Sequence, residues 1–416
     1  LISPQFGEVL SFSYRSILDI SEHDYRIEIL LTSNEQLSIF NLGYRYEDFL
    51  RIMIKLRNEL LLKDLLMNEK MRKSVAEAEF VYYGSAGDAL QKGGCELRLY
   101  ETALVVMPDK GELIRFPYSD LSGIDSQNYT LTINTETGEK LSLSQMGGQF
   151  DPFARALSEA NAALQLKVNS LLMRLFPNAD PSLIRRVARF MKEGRAARRV
   201  DIESVSPTLW KELEKKLGTV GVMEEYDFLK AMSQQEKICI GVKQSLLGDL
   251  TGEYVWFLIP IYSTNPSDPG NAVVMEASSQ EGTGKATYFF RIVGRKEYKD
   301  FRNIDDLHRE VDLFIKRMNR CMIDINFRRE PIYLPAERLD EPKYERYRFA
   351  LQKIPSLKVL RELFIGRVIH STPEQWKGDV KDLLKFNVST EDDSAKWSKG
   401  EPPDTDEDKE EAASKK

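Results

Sequence analysis

Five cations stand three or four residues apart in the middle of this chain: Arg185, Arg189, Lys192, Arg195 and Arg199. On a helix, at about 100° per residue, they cluster within about a third of the circumference. Arg186 and Arg198 flank them, and Glu193 is the only acid between 185 and 199. Guanidinium and ammonium groups gathered this way would bind an anion or an acidic partner. The plainer reading is a solvated face, or one paired with acids elsewhere in an acidic protein. No aromatic stacking pattern accompanies the arginines, which disfavours nucleic acid.

Other chemistry is sparse. In "DDLHREVD", Asp305, His308 and Asp312 fall on one helix side and could reach a metal, but no second ligand cluster is visible and a polar helix flank is the simpler reading. No metal and no cofactor is therefore expected. "EGTGKAT" (281–287) misses the phosphate-loop frame: Ser279 stands near where the first glycine belongs, and Ala286 where a hydroxyl is needed. A hairpin turn fits it better. Cys95, Cys239 and Cys321 form no CxxC pair, which supports neither a zinc site nor a disulfide framework and points to a reducing compartment. His23 and His370 have no nucleophile beside them, and no GxSxG or HExxH run exists. The expectation is a protein that is not an enzyme. Catalytic groups meet in space rather than in sequence, so an enzyme with its site in 237–387 stands as an alternative.

Positioning the cations falls to a helix. Asp180 can cap it, Pro181 can open it, and it should run to about Arg199, burying Leu183, Ile184, Val187, Phe190 and Met191. Upstream lies a repeat. "YRIEILLTSNEQLSIFNLGYRYEDF" (25–49) aligns without a gap with "YTLTINTETGEKLSLSQMGGQFDPF" (129–153), identical at 7 of 25 positions. Tyr14 and Tyr118 also coincide, as do Gly43 and Gly147. "YTLTI" and "LSLS" alternate apolar and polar, the mark of strands with one buried face. After "MGG" the period changes: Phe150, Phe153, Ala154, Leu157, Ala160 and Leu164 recur at helical spacing. In the first copy the helix takes Tyr46, Phe49, Leu50, Met53, Leu56 and Leu60. "EFVYYG", "CELRLYE", "ALVVM" and "ELIRFPY" supply further strands before the second copy, with a turn at Asp109–Gly111.

Strands followed by one closing helix, in "FPYSDLSGIDSQNYTLTINTETGEKLSLSQMGGQFDPFARALSEA" (116–160) and again over 12–56, resemble the last strands and helix of a pleckstrin-homology-like (PH-like) domain of the simple bacterial kind. The resemblance implies an α+β fold of bent antiparallel barrels, each closed by a C-terminal helix. It places the C-terminal part of a first unit at 1–70 and a second unit at 76–168. A helical region carrying the basic helix follows at 169–236. A third, degenerate unit spans 237–328, with strands at 254–263, 271–278 and 284–293 and a helix from Asn303. Helices follow at 329–387, with "SLKVLRELFIGRVI" (356–369) as one of them. Lipid-binding members carry a basic pattern in their first hairpin. Here Lys92 and Arg98 fit it, but Glu96 takes the middle position, where it would repel a phosphate.

The net charge of −6 argues against general binding of nucleic acid or anionic membrane by the whole chain. No apolar run approaches the ~20 residues of a spanning helix, and the start has no signal-peptide pattern. It enters mid-pattern without Met, so a trimmed chain is expected. Residues 388–416 are acidic and nearly free of aliphatic side chains, the composition of a disordered tail. The function expected is a cytoplasmic, non-catalytic scaffold or adaptor. It would bind a protein or peptide through PH-like units and through Arg185, Arg189, Lys192, Arg195 and Arg199. The second reading is a peripheral protein meeting an anionic membrane surface with that same face.

Overall fold

The computed structural model describes residues 10–65, 69–244, 253–279 and 285–389. The chain is a mixed α+β protein with antiparallel sheets, and it divides into two compact units, 1–164 with 336–350 and 165–335 with 351–416.

The first unit holds both copies of the repeat. Copy 1 is β1 (Ile17–His23), β2 (Arg26–Leu31), β3 (Gln36–Ile39) and helix α1 (Tyr46–Asp64). Next come β4 (Lys73–Tyr83), β5 (Ala89–Leu99), β6 (Ala103–Pro108) and β7 (Ile114–Pro117). Copy 2 is β8 (Leu121–Gln127), β9 (Thr130–Thr135), β10 (Lys140–Ser144) and α2 (Phe150–Leu175), whose residues to Leu164 belong to this unit. At an offset of 104 residues every element of copy 1 starts where its counterpart in copy 2 starts.

Backbone geometry repeats as well. The hairpin tips Asp24–Tyr25 and Asn128–Tyr129 all have positive φ, as a two-residue primed turn requires. Asn34 matches Gly138, Asn41 matches Gln145 and Gly43 matches Gly147, each with positive φ. Each tip tyrosine meets the first aromatic of the following helix edge-on: Tyr25 to Tyr46 at 5.5 Å and Tyr129 to Phe150 at 5.6 Å.

The copies differ in what covers them. Copy 2 belongs to a curled seven-stranded sheet, ordered β7-β6-β5-β4-β10-β9-β8, in which β4 pairs with β10 and returns the sheet toward its start. Its inward side chains Leu141, Leu143, Phe153, Leu157 and Ala160 are fully buried. Copy 1 forms only a three-stranded sheet, β1-β2-β3. Ile27, Ile29, Leu50 and Met53 pack into a small core. Leu37 and Ile39 stay half-exposed, and Phe49, Ile52 and Leu56 are 38%, 55% and 48% exposed. The helix periodicity placed Phe49 and Leu56 in the core. They lie outside it, because no described strand stands where β4 stands in copy 2.

Polar contacts tie α1 to β5 and to the turn between β6 and β7 within the unit. Asn58, buried on α1, donates to the Gly111 carbonyl and accepts from the Leu113 amide. Arg57 pairs with Glu112 at 2.9 Å. Arg98 donates to both Glu59 and Glu96.

In the second unit, α3 (Pro181–Ala188), β11 (Ala197–Arg198), α4 (Arg199–Val205), α5 (Pro207–Thr219) and α6 (Met223–Lys230) precede four long strands. These are β12 (Cys239–Gln244), β13 (Glu253–Ile261), β14 (Ala272–Ser279) and β15 (Ala286–Arg291). Then come α7 (Arg295–Asp300), α8 (Ile304–Asp324), α9 (Glu330–Tyr333), α10 (Tyr347–Lys353, which runs across the division), α11 (Pro355–Leu363), β16 (Phe364–Ile369) and α12 (Pro373–Ser389).

One six-stranded antiparallel sheet, β11-β12-β13-β14-β15-β16, carries helices on both faces. Val255, Phe257 and Ile259 join Trp210, Leu213, Tyr226 and Trp376 in the larger core. Phe290, two-faced with them across the sheet, meets Phe314 of α8 at 5.9 Å. Burial on both faces explains why "YVWFLIPIY" is continuously apolar rather than alternating. At the sheet centre Trp256 Nε1 donates to the Gly194 carbonyl at 2.7 Å, directly over Gly241. A Cβ at 241 would fall on that indole nitrogen and on the backbone of Gly194 and Ala196. Gly241→Ala should therefore cost roughly 2–3 kcal/mol, the upper range for overpacking, read from the midpoint of urea unfolding.

Two sequence expectations are corrected here. The helix from Pro181 ends at Ala188, not near Arg199. Glu193 and Gly194 take left-handed φ of 52° and 86°, which no continuing α-helix tolerates. "FIGRVI" is the edge strand β16, because Ile365, Val368 and Ile369 are β-branched, Gly366 weakens a helix, and β15 offers an edge. The third β region shares the strand-then-helix order of the copies, but it is a plain meander without the β4–β10 type of return pairing. Other readings hold. Asp180 and Asn303 cap their helices, and α8 buries Leu307, Val311, Phe314, Met318 and Met322 within its own unit. The turn after β14 and the acidic tail from 390 onward lie outside the described residues.

Candidate functional site

The five cations do not share one helix. Arg185 lies on α3, Arg189 caps its end, Lys192 sits in a single 3₁₀ turn, Arg195 follows it in extended backbone, and Arg199 opens α4. Arg185, Arg186 and Arg189 are exposed, and none forms an ion pair with a described residue. The exposed ring of Phe190 stands beside them in sequence. Asp180, the nearest acid, spends its carboxylate on the Ser182 amide at 2.7 Å. Hydrogen bonds from the Ser182 hydroxyl and amide, and then the charge of Arg185, hold the carboxyl below its ordinary range.

Lys192 and Arg195 are half-buried and engaged with neighbours. Arg199 donates to Glu203 at 2.8 Å and to Gln235. Arg198 donates to Asp201 and Asp312, and Lys237 also donates to Asp312 at 3.0 Å. Asp312 is thereby committed to two cations, and His308 Nδ1 shares a 2.5 Å hydrogen bond with the Tyr262 hydroxyl. Asp305, His308 and Asp312 thus do not converge on a common point, and no described group of His, Cys, Asp and Glu residues could hold a metal ion.

The first unit carries a mixed-charge groove of about 610 Å³ between α1 and the curled sheet. Arg51, Ile52 and Lys55 line one wall, and Glu77, Glu96 and Asp109 line others. Cys95 opens onto it, but burial pushes its thiol up to about 12, so it is no nucleophile at neutral pH. Burial raises the thiols of Cys239 and Cys321 as well. Arg98 of the first-hairpin pattern is held by Glu59 and Glu96 rather than presented to an anion.

A polar cluster invisible in the sequence sits in the second unit. His370, just past β16, bridges two carboxylates: Nδ1 lies 3.3 Å from Glu225 of α6 and Nε2 lies 3.1 Å from Glu276 of β14. Thr287 donates to the other Glu276 oxygen at 3.0 Å, and Trp376 Nε1 donates to Thr287 at 3.2 Å. Burial opposes the imidazolium, but hydrogen bonds and charge from Glu225 and Glu276 outweigh it and raise its pKa to about 9. Glu225 is held below its ordinary value by the same histidine, against its own burial. A carboxylate–imidazole–carboxylate chain is a known way to hold a proton for catalysis. Here Glu276 is 1% exposed and the Trp376 ring lies 5.8 Å from the imidazole. The network is closed on itself and reads as a buried tie between α6, the sheet and α12. No short motif announces it, since its members are scattered through the chain.

No family model matches this chain. No curated protein matches it in sequence either. The fold and these sites therefore have to be read from the molecule's own geometry. No helix among the described residues is long and apolar enough to cross a membrane.

Proposed function

We propose that this chain is a non-catalytic adaptor built on tandem PH-like units. It meets an acidic protein segment through Arg185, Arg186 and Arg189, with Lys192 and Arg195 at the rim. The observation that carries the reading is the unpaired charge. In a protein of net charge −6, three exposed arginines gather around the end of one short helix without an ion pair among the described residues, and only Asp180 acts on Arg185, at longer range. Arg199, which the sequence placed on the same face, is already spent on Glu203 and Gln235. The PH-like part of the reading is supported by strands followed by a closing helix, given twice at one fixed offset, and by the return pairing of β4 with β10.

The test compares two charge-reversed proteins in a pull-down from native extract. Arg185→Glu/Arg186→Glu/Arg189→Glu should weaken partner binding at least tenfold, about 1.4 kcal/mol, and the loss should deepen with added salt. Reversing Arg199 alone should leave binding within about twofold. Retention of the same partners by the triple variant would refute the reading. Sedimentation of the unaltered protein with anionic vesicles, lost in the triple variant, would move the assignment to a membrane surface.

A further inference from the structure

The negative charge of this chain is concentrated in one stretch. Residues 390–416 hold ten acids against five lysines, a balance of −5, which leaves −1 of the total −6 for residues 1–389. Within that stretch Asp404, Asp406, Glu407, Asp408, Glu410 and Glu411 put six carboxylates into eight residues, with Lys409 alone against them. Their counterpart in the second unit is Arg185, Arg186 and Arg189 at the end of α3. All three are exposed and lack an ion pair among the described residues, and Asp180 acts on Arg185 only at longer range. We infer that residues 404–411 of the same chain occupy this arginine surface, so that the site is covered in cis until an outside acidic segment displaces them. The inference rests on the reading of these arginines as a site for acidic segments and names the segment that holds it at rest.

Reach permits this occupant. Ile184, Val187 and Met191, in and just after α3, share one core with Val255 and Phe257 of the sheet and with Val380, Leu383 and Leu384 of α12. The two helices therefore lie over the same face of the sheet. Asn387 anchors the end of α12 by donating to the Gly270 and Asn271 carbonyls. The sheet has six strands, about 24 Å across at ~4.8 Å per strand. The fourteen residues 390–403 that follow α12 extend to at most roughly 50 Å, more than enough to carry the acidic run to α3.

Charge selects it. Three guanidinium groups side by side repel one another, and each pairs with carboxylates through a two-pronged fork. Six carboxylates in eight residues offer such partners in almost any register. A tether of this kind holds a segment at about millimolar effective concentration. With an intrinsic Kd of about 0.1 mM, it makes a competing peptide bind roughly tenfold more weakly.

The experiment uses the 416-residue chain and a fluorescent peptide copying residues 401–413, followed by anisotropy at low salt. The tail variant carries Asp404→Asn, Asp406→Asn, Glu407→Gln, Asp408→Asn, Glu410→Gln and Glu411→Gln. The peptide should bind it at least tenfold more tightly than the unaltered chain, and added salt should shrink the difference. Arg185→Glu/Arg186→Glu/Arg189→Glu, placed in the tail variant, should abolish the gain. Equal binding to the unaltered chain and the tail variant, lost from both on reversing the arginines, would overturn the inference and leave the adaptor reading standing. Peptide binding that is absent from the tail variant, or indifferent to the arginines, would overturn the inference and count against that reading too. Self-association of the unaltered chain that the tail variant lacks would also overturn it, with the tail of a second copy as the occupant.

Discussion

Phe153→Ala should destabilise the first unit by about 3–5 kcal/mol, the usual result of removing a fully buried phenylalanine. The same change at Phe49, its counterpart 104 residues upstream, should cost less than about 1 kcal/mol. Both residues occupy the same turn of the same kind of helix, and both follow a glycine of positive φ. Helix propensity and local geometry therefore cancel in the comparison. What remains is cover: the ring of Phe153 is enclosed beneath the curled sheet, and more than a third of Phe49 faces solvent. Urea unfolding followed by near-ultraviolet dichroism would give both values. Equal losses would mean that Phe49 is enclosed in solution by something the three-stranded sheet does not provide.

The second large effect concerns His370. Replacing it by leucine leaves Glu276, 1% exposed, with a hydroxyl donor in Thr287 and no cation. Breaking one side of a buried ion pair costs about 3–5 kcal/mol. Changing Glu276 to leucine as well should recover much of that loss, because the uncompensated charge goes with it.

The pH dependence follows from the direction of the shift. The folded histidine binds its proton more tightly than the unfolded one. Its contribution is therefore full below about 6.5 and is lost as pH rises through about 9. Stability should fall by roughly 3 kcal/mol across that window in the unaltered protein and by far less in His370→Leu. Glu225 acts in the opposite sense: its carboxyl is lowered, so its share is present above about 4.5 and fades as pH falls. A flat profile from 6.5 to 9 in the unaltered protein would mean that the imidazole is not held charged by the two glutamates.

Much of this fold was legible in the residues. Alternation in "YTLTI" and "LSLS" sets strand faces directly, and Ile133, Leu141 and Leu143 are fully buried as that alternation requires. The capping residues Asp180 and Asn303 also announced their helices. The basic helix was overextended for a physical reason. Left-handed backbone at Glu193, a residue type that rarely takes it, bars continuation to Arg199, and only the neighbouring Gly194 hints at the break. "FIGRVI" is too short for periodicity to separate strand from helix, so the available edge of β15 decided it. Phe49 and Leu56 looked like core because a helix pattern shows which face is apolar, not whether anything stands opposite. The His370 cluster left no trace, since Glu225 and Glu276 approach it only through the sheet and α6. Of the five cations, the sequence found the charge but not its use. Three of the five are engaged with neighbouring groups.

The hairpin tips of the two copies carry a longer implication. Tyr25 and Tyr129 hold a backbone conformation that disfavours side chains by roughly 1 kcal/mol, and each lays its ring on the first aromatic of the next helix. Glycine would relax the backbone but release that clasp between hairpin and helix. The copies differ at most positions between residues 25 and 49, yet both keep the tip tyrosine, its positive φ and its edge-on aromatic contact. Divergence in this chain has been cheap in letters and expensive in hinges. Its kinship with other proteins would be written in the placing of such joints long after shared residues had worn away.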